Sequence, residues 1–368
     1  MKKTIGKIFG VTFFVVMMLC ITTLFASAET HKYNGKEYEI QTEGDFSYFV
    51  VTDENALTEW DKEHSGVGAF LYKYNGTAAS VAIPSTLGGQ PVIEIYCSAF
   101  EGNKALQTVT IGESVNLIAI NAFKNCTGLQ TVLIAKNVEA IDGDAFLGCS
   151  ALKSVTFQKG SKLVSIEYGV FNGCTSLNNF TIPETVEIIG DWAFYNCDSM
   201  TDIVIPDSVT TLGAGAFFGC NSLVNATIGN SIETLVSATQ GTYSDNGIGN
   251  WGRDKCTDGT FEGCISLANV TIGSAVKTIE ADCFAGCGIT SIVIPDNVET
   301  IETGAFRNCS SMITADIGDG VTKIGHTAFA YCSKLETVTV KGNNTVIEDG
   351  AFEGDTSLVT IDLISNVI

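Results

Sequence analysis

Proline and histidine are scarce in this chain, at 5 and 3 residues of 368. Three histidines, His31, His64 and His326, leave little for proton transfer near neutral pH. Basic residues are few as well: 20 Lys and Arg stand against 41 Asp and Glu, for a formal charge of −21. Such an acidic surface excludes nucleic acid and anionic membranes as partners. No G-x-S-x-G, H-E-x-x-H, Walker or dinucleotide fingerprint occurs, so the motif-borne hydrolase, zincin and nucleotide-binding classes are not indicated. After residue 28 no apolar run is long enough to span a membrane.

The N-terminus is of a different character. Lys2, Lys3 and Lys7 precede an apolar run from Ile8 to Phe25, and Ala26-Ser27-Ala28 supplies the small-x-small pattern of a signal-peptidase site. Residues 1–28 read as a cleaved secretory signal, with an uncleaved anchor as the competing reading. A lipoprotein at Cys20 is disfavoured by the bulky Leu19 before it. Removal of the three signal lysines takes the charge from −21 to −24.

Phenylalanine recurs at 100, 123, 146, 171, 194, 217, 261, 284, 306, 329 and 352, with a spacing of 22 to 25 residues broken once by a gap of 44. Most of these rings follow an alanine, as in Ala99-Phe100 and Ala216-Phe217. Each is followed by a short alternating run such as "LQTVTIG" or "LETVTVK". Strict alternation with β-branched residues predicts a half-buried strand, with Val109 and Ile111 inward and Thr110 outward. A Pro or Gly turn follows, with a small polar residue (Ser114, Asn137, Thr185, Ser208, Ser231, Asn297) whose side-chain oxygen is expected to fix the turn. A second apolar pair, as in "VTTL", then returns the chain to Ala-Phe. One coil thus offers one strand, two turns and a compact return. It cannot bury its apolar stripe alone, so coils must stack into a parallel sheet with a phenylalanine spine. The fold class is a repeat solenoid, mostly β and loop, with short 3-10 or helical turns.

The unit L-x-x-V-x-I-P-x-S-V-x-x-I-G-x-x-A-F-x-x-C-x-S-L resembles the leucine-rich repeat of the BspA-like bacterial surface proteins. The resemblance covers about Val81 to Leu363. It implies a curved, right-handed leucine-rich-repeat solenoid at the bacterial surface or secreted from it, with some members associated with adhesion to host matrix proteins or to other bacteria.

The expected division is a signal peptide (1–28), an N-terminal segment with a capping β-hairpin (29–80) and the solenoid (81–368) carrying an insertion at 236–260. "FSYFVV" (46–51) and "GAFLYKYNG" (68–76) are expected to pair as the cap. "IPSTLGGQPVIEI" (83–95) is expected to be a first coil widened by a Gly-Gly-Gln-Pro loop.

Nine cysteines fall three residues after the repeat phenylalanine, at 126, 149, 174, 197, 220, 264, 287, 309 and 332. Zinc-type C-x₂-C spacing is absent. Identical positions in stacked coils aim their Cβ atoms in parallel, which opposes disulfides. These thiols are expected to be free, buried fillers of a tight turn. Cys97, Cys256 and Cys283 are off the pattern, and Cys256 is a candidate to pair with Cys283 or Cys264.

No catalytic, metal or cofactor residue is assigned, and the chain is expected not to be an enzyme. Asp316 and Asp362, two coils apart on the outward face, are too weak a pair to indicate a glycosidase. The expected function is protein–protein binding outside the cell, in adhesion to a host extracellular-matrix or cell-surface protein. The alternatives are carbohydrate binding and a structural, self-associating matrix role. Contact residues are sought in the insertion (Tyr243, Trp251, Arg253), since aromatic and arginine side chains are enriched at binding hot spots. The competing reading of the insertion is a loop whose Trp251 packs on the neighbouring coil. Outward strand residues such as Thr181, Val204 and Thr227 are the other candidates.

Overall fold

The computed structural model describes residues 30–57, 62, 66–178, 180–236 and 258–364. The chain divides into two compact units, Met1–Val164 and Ser165–Ile368. Both are built from the same parallel-strand coil.

The first unit opens with an antiparallel hairpin, Thr30–Tyr33 against Lys36–Glu39. It turns on Asn34-Gly35, both at positive φ (42° and 81°), the combination that suits the twist of a two-residue hairpin. Three further antiparallel strands follow: Gln41–Glu43, Phe46–Val51 and Gly68–Tyr74. The last of these pairs in parallel on its other side with Gln90–Ile95, and there the cap becomes solenoid. The expected hairpin between "FSYFVV" and "GAFLYKYNG" is therefore present. The expected Gly-Gly-Gln-Pro loop is a second hairpin, since Thr86–Leu87 pairs antiparallel with Gln90–Ile95. Gly88 and Gly89 take positive φ and close it.

Beyond the cap the unit builds two parallel ladders. One joins Ser80–Ala82, Thr108–Ile111, Thr131–Ile134 and Ser154–Phe157 in register. The other joins Gln90–Ile95, Leu117–Ile118 and Ala140–Ile141. The return segment, expected as a compact connection, is thus a strand in its own right. Its buried N–H and C=O groups find partners one coil away.

The second unit repeats the scheme. Asp202–Val204, Asn225–Thr227 and Asn269–Thr271 form one parallel ladder. Ser291–Ile294, Thr314–Ile317, Thr337–Val340 and Thr360–Leu363 form the next. Return strands from Thr234–Leu235 to Val346–Ile347 make a five-stranded sheet.

Between the ladders runs the spine. In the first unit Tyr74, Phe100, Phe123 and Phe146 stack at centroid separations of 5.0, 4.7 and 5.0 Å. In the second the stack runs from Phe171 to Phe352 at 5.0–5.5 Å. Phe217 and Phe261 stack at 5.2 Å with planes 7° apart, so the insertion leaves the spine continuous. Burying each ring stabilises the stack by roughly 1.5–3 kcal/mol.

The turn around nearly every repeat phenylalanine is shaped by left-handed residues two before and two after the ring, for example Asn121 and Asn125 around Phe123, both at φ 57°; Phe261 has only Gly263. Most occupants are Gly, Asn or Asp, which tolerate that region. Trp192 (52°), Thr327 (53°) and Tyr331 (61°) are the bulky or branched exceptions.

The cysteines in register are buried and free. Eight of their thiols donate to a phenylalanine carbonyl one coil back, as Cys126 does to Phe100 (3.0 Å) and Cys309 to Phe284 (3.2 Å). The same carbonyl accepts a main-chain N–H of its own coil, from Asn103 at Phe100 and from Cys287 at Phe284. Cys283 and Cys264, the partners expected for Cys256, are both free and buried, so neither forms the expected bridge; Cys256 itself lies outside the described residues. Cys97 is disulfide-bonded.

The expected turn-fixing oxygens behave differently. Asn137 and Asn297 use their amide N–H instead, donating to Glu113 and Val276 carbonyls of the preceding coil. The hydroxyls of Ser114 and Ser208 are buried without a hydrogen-bond partner.

Candidate interaction surface

The ladders set every second side chain outward. In the second unit Val204, Thr227 and Thr271 stand opposite one another in adjacent strands. Val204 is 63% exposed and Val293 61%, so these valines face solvent with nothing packed over them. Thr181 is also exposed, but it lies outside the ladder strands. Before it, Phe180 takes the inward position that other coils give to Val, Ile or Ala, and its ring meets Phe171 and Phe194 edge-on at 5.1 and 4.9 Å. Asp316 is held by Lys341 (2.9 Å) and is separated from Asp362 in register by Thr339.

Asp202, Asp198 and Asp207 lie along the coil that carries Val204. Each accepts hydrogen bonds from an asparagine 23 residues later: Asn225, Asn221 (2.8 Å) and Asn230 (2.8 and 3.1 Å). Hydrogen bonds from Asn225 and Thr201 hold Asp202 below the usual carboxylate range.

Tyr243, Trp251 and Arg253 lie outside the described residues. The roots of the insertion are described. The buried Thr260 hydroxyl donates to the Val236 carbonyl (2.6 Å) and so ties the two feet together. Asp258, 5% exposed, accepts from the Trp192 indole at 2.8 Å. Glu262 accepts from the Gly259 N–H at 3.0 Å. Its pKa is raised to about 7, first by burial and then by the carboxylates of Asp282 and Asp258.

Reactive chemistry is not assembled here. Burial pushes the thiols of Cys197, Cys220 and Cys264 up, away from the nucleophilic thiolate. His31 is fully buried in the cap among Phe49, Tyr72 and Tyr96, with Nε2 3.2 Å from the Tyr96 hydroxyl. His326 is exposed, its ring against the Asp349 carbonyl. Among the described residues no cluster of His, Cys, Asp and Glu is arranged to hold a metal ion. No described helix is long and apolar enough to cross a membrane.

A model of the BspA-type leucine-rich repeat region matches residues 66–165, 158–239 and 254–368, in six copies. The chain belongs to this family. BspA-type repeats thus account for most of the chain, including coils on both sides of the insertion. No curated protein matches it. Among solved structures, a leucine-rich cell surface protein from Faecalibacterium prausnitzii is 27% identical, with 88% of this chain and 94% of that one covered and a TM-score of 0.42. A leucine-rich repeat protein of T. pallidum is 26% identical over 60% of this chain and 81% of that one, at 0.41. A leucine-rich repeat protein from Bacteroides ovatus is 22% identical over 92% and 82%, at 0.45.

Proposed function

We propose that this BspA-type protein is secreted or held at the cell surface and binds other proteins, in adhesion to host extracellular-matrix or cell-surface proteins. Exposed outward residues carry the contact, Val204 and Thr227 of the ladder strands and Thr181 beside them. Tyr243, Trp251 and Arg253 of the insertion add hot-spot side chains. One observation above all supports the reading: Val204, 63% exposed, sits in a row of small neutral residues on a sheet face left open among the described residues. A flat, rigid face of this kind suits protein contact and offers no nucleophile, acid or base. The secretory pattern at residues 1–28 and the family's surface character support the location.

The test is solid-phase binding of the protein to a panel of immobilised matrix proteins. Wild type, the Val204→Trp/Thr227→Trp variant and a deletion of 238–257 are compared. Loss of binding in the tryptophan variant supports the face, and loss in the deletion supports the insertion. Retention in both would remove the reading.

A further inference from the structure

The solenoid treats its surface carboxylates in two ways. At several positions an acid meets a lysine from a neighbouring coil: Glu113 with Lys136 (3.4 Å), Glu299 with Lys277 (3.5 Å), Glu302 with Lys323 (3.0 Å) and Asp316 with Lys341 (2.9 Å). Beside Val204 the neighbouring coil offers asparagine at the corresponding offset, so Asp198, Asp202 and Asp207 each bond an amide. An amide orients a carboxylate without cancelling its charge. The amides are themselves held, because Asn225 accepts from Asn269 (2.8 Å) and Asn230 from the Ser274 N–H (2.9 Å). The three charges are therefore held in place by amides, and among the described residues no lysine or arginine pairs with them. The sequence agrees, for no lysine or arginine occurs between Lys162 and Arg253.

The same face is apolar at its centre. Val204, 63% exposed, stands two residues from Asp202 in the same strand, and Val224, 37% exposed, immediately precedes Asn225 of the next. An exposed aliphatic strip flanked by anchored charges of one sign has the make-up of an interface core with a polar rim. Charge complementarity then selects the partner.

We infer that the face formed by Asp202–Val204, Asn225–Thr227 and Asn269–Thr271 docks an extended segment of a partner protein that bears lysine or arginine. Its cations meet Asp198, Asp202 and Asp207, and its aliphatic side chains cover Val204 and Val224. The inference rests on reading the outward sheet face as the contact surface, and it adds the chemistry of the partner. Asp202 and Asp207 are five residues apart, roughly 15 Å of extended chain. A strand laid alongside this coil meets them with cations at like intervals.

The experiment measures fluorescence anisotropy of a labelled oligolysine peptide against the full chain, with oligoglutamate as the control probe. Asp198→Asn/Asp202→Asn/Asp207→Asn is expected to weaken oligolysine binding about 3- to 100-fold. Glu184→Gln/Glu187→Gln/Glu233→Gln removes the same charge from the same lysine-free stretch and is expected to change it by less than about twofold. Equal weakening by the two triples, or none from the first, overturns the inference. Matrix-protein binding separates this failure from that of the underlying reading. If Val204→Trp/Thr227→Trp abolishes it while the aspartate triple leaves it intact, the contact face stands and the cationic partner falls. If the tryptophan variant has no effect, the face itself falls.

Discussion

The Cys220 thiol donates to the main-chain carbonyl of Phe194, 3.2 Å away and one coil back. That carbonyl also accepts the Cys197 N–H of its own coil, so Phe194 is bracketed by two cysteines. Cysteine at this position is a small buried donor that links consecutive coils. Cys220→Ala removes the donor and the sulfur volume together, and is expected to lower stability by about 1–2 kcal/mol. The urea midpoint, at unchanged m-value, reads the loss.

The spine sets a larger scale. Phe217 lies 5.1 Å from Phe194 and 5.2 Å from Phe261, and it is fully buried. Phe217→Ala is expected to cost about 3–5 kcal/mol, with a smaller loss for Phe217→Leu. Because coils contact only their neighbours, the damage should spread along the stack, seen as broadened unfolding in hydrogen exchange.

Thr327 is a β-branched residue at φ 53°, where most other coils place Gly, Asn or Asp. Thr327→Gly relieves that backbone and is expected to raise the melting temperature, by the equivalent of about 1 kcal/mol. A fall would show that the threonine side chain contributes more than its strain costs.

Two groups give the protein opposite pH limits. Burial lowers the His31 pKa from 6.5 to about 4. Stability from the neutral imidazole is full above about pH 6.5 and is lost as pH falls towards 4, by at most about 3 kcal/mol. His31→Phe should flatten the acid limb of the stability curve relative to wild type. At the alkaline end burial pushes Cys283 from 9 to about 12. Its thiol ionises first in the unfolded chain, so stability falls as pH rises from about 9 towards 12. A thiol reagent at neutral pH should label the buried cysteines only after unfolding.

Much of this was legible in the sequence, because a period of about 23 residues repeats the same local chemistry. Phe217, the alternating run at Ile203 and Ile205, and the non-catalytic reading of Cys220 all follow from repetition. What escaped depends on neighbours in space. The two-residue return strands give no alternation of their own, so Thr211–Leu212 reads as a turn until Ile188–Ile189 lies beside it. The role of His31 is set by Phe49, Tyr72 and Tyr96, far along the chain. Asn34-Gly35 was a visible hairpin signal, local and strong, and it marks the part of the cap that the "FSYFVV" pairing does not include. On the candidate face the Asp–Asn substitutions for Asp–Lys pairs become meaningful only once residues 23 apart are known to be adjacent.

The measurement closest to the central claim is binding of the full chain to immobilised matrix proteins, for wild type and for Val204→Trp/Thr227→Trp. Both substitutions lie on exposed outward positions and leave the core untouched. The account predicts saturable binding by wild type and at least a tenfold loss in the variant, about 1.4 kcal/mol or more, with unchanged thermal unfolding. Equal binding by the two proteins would contradict it.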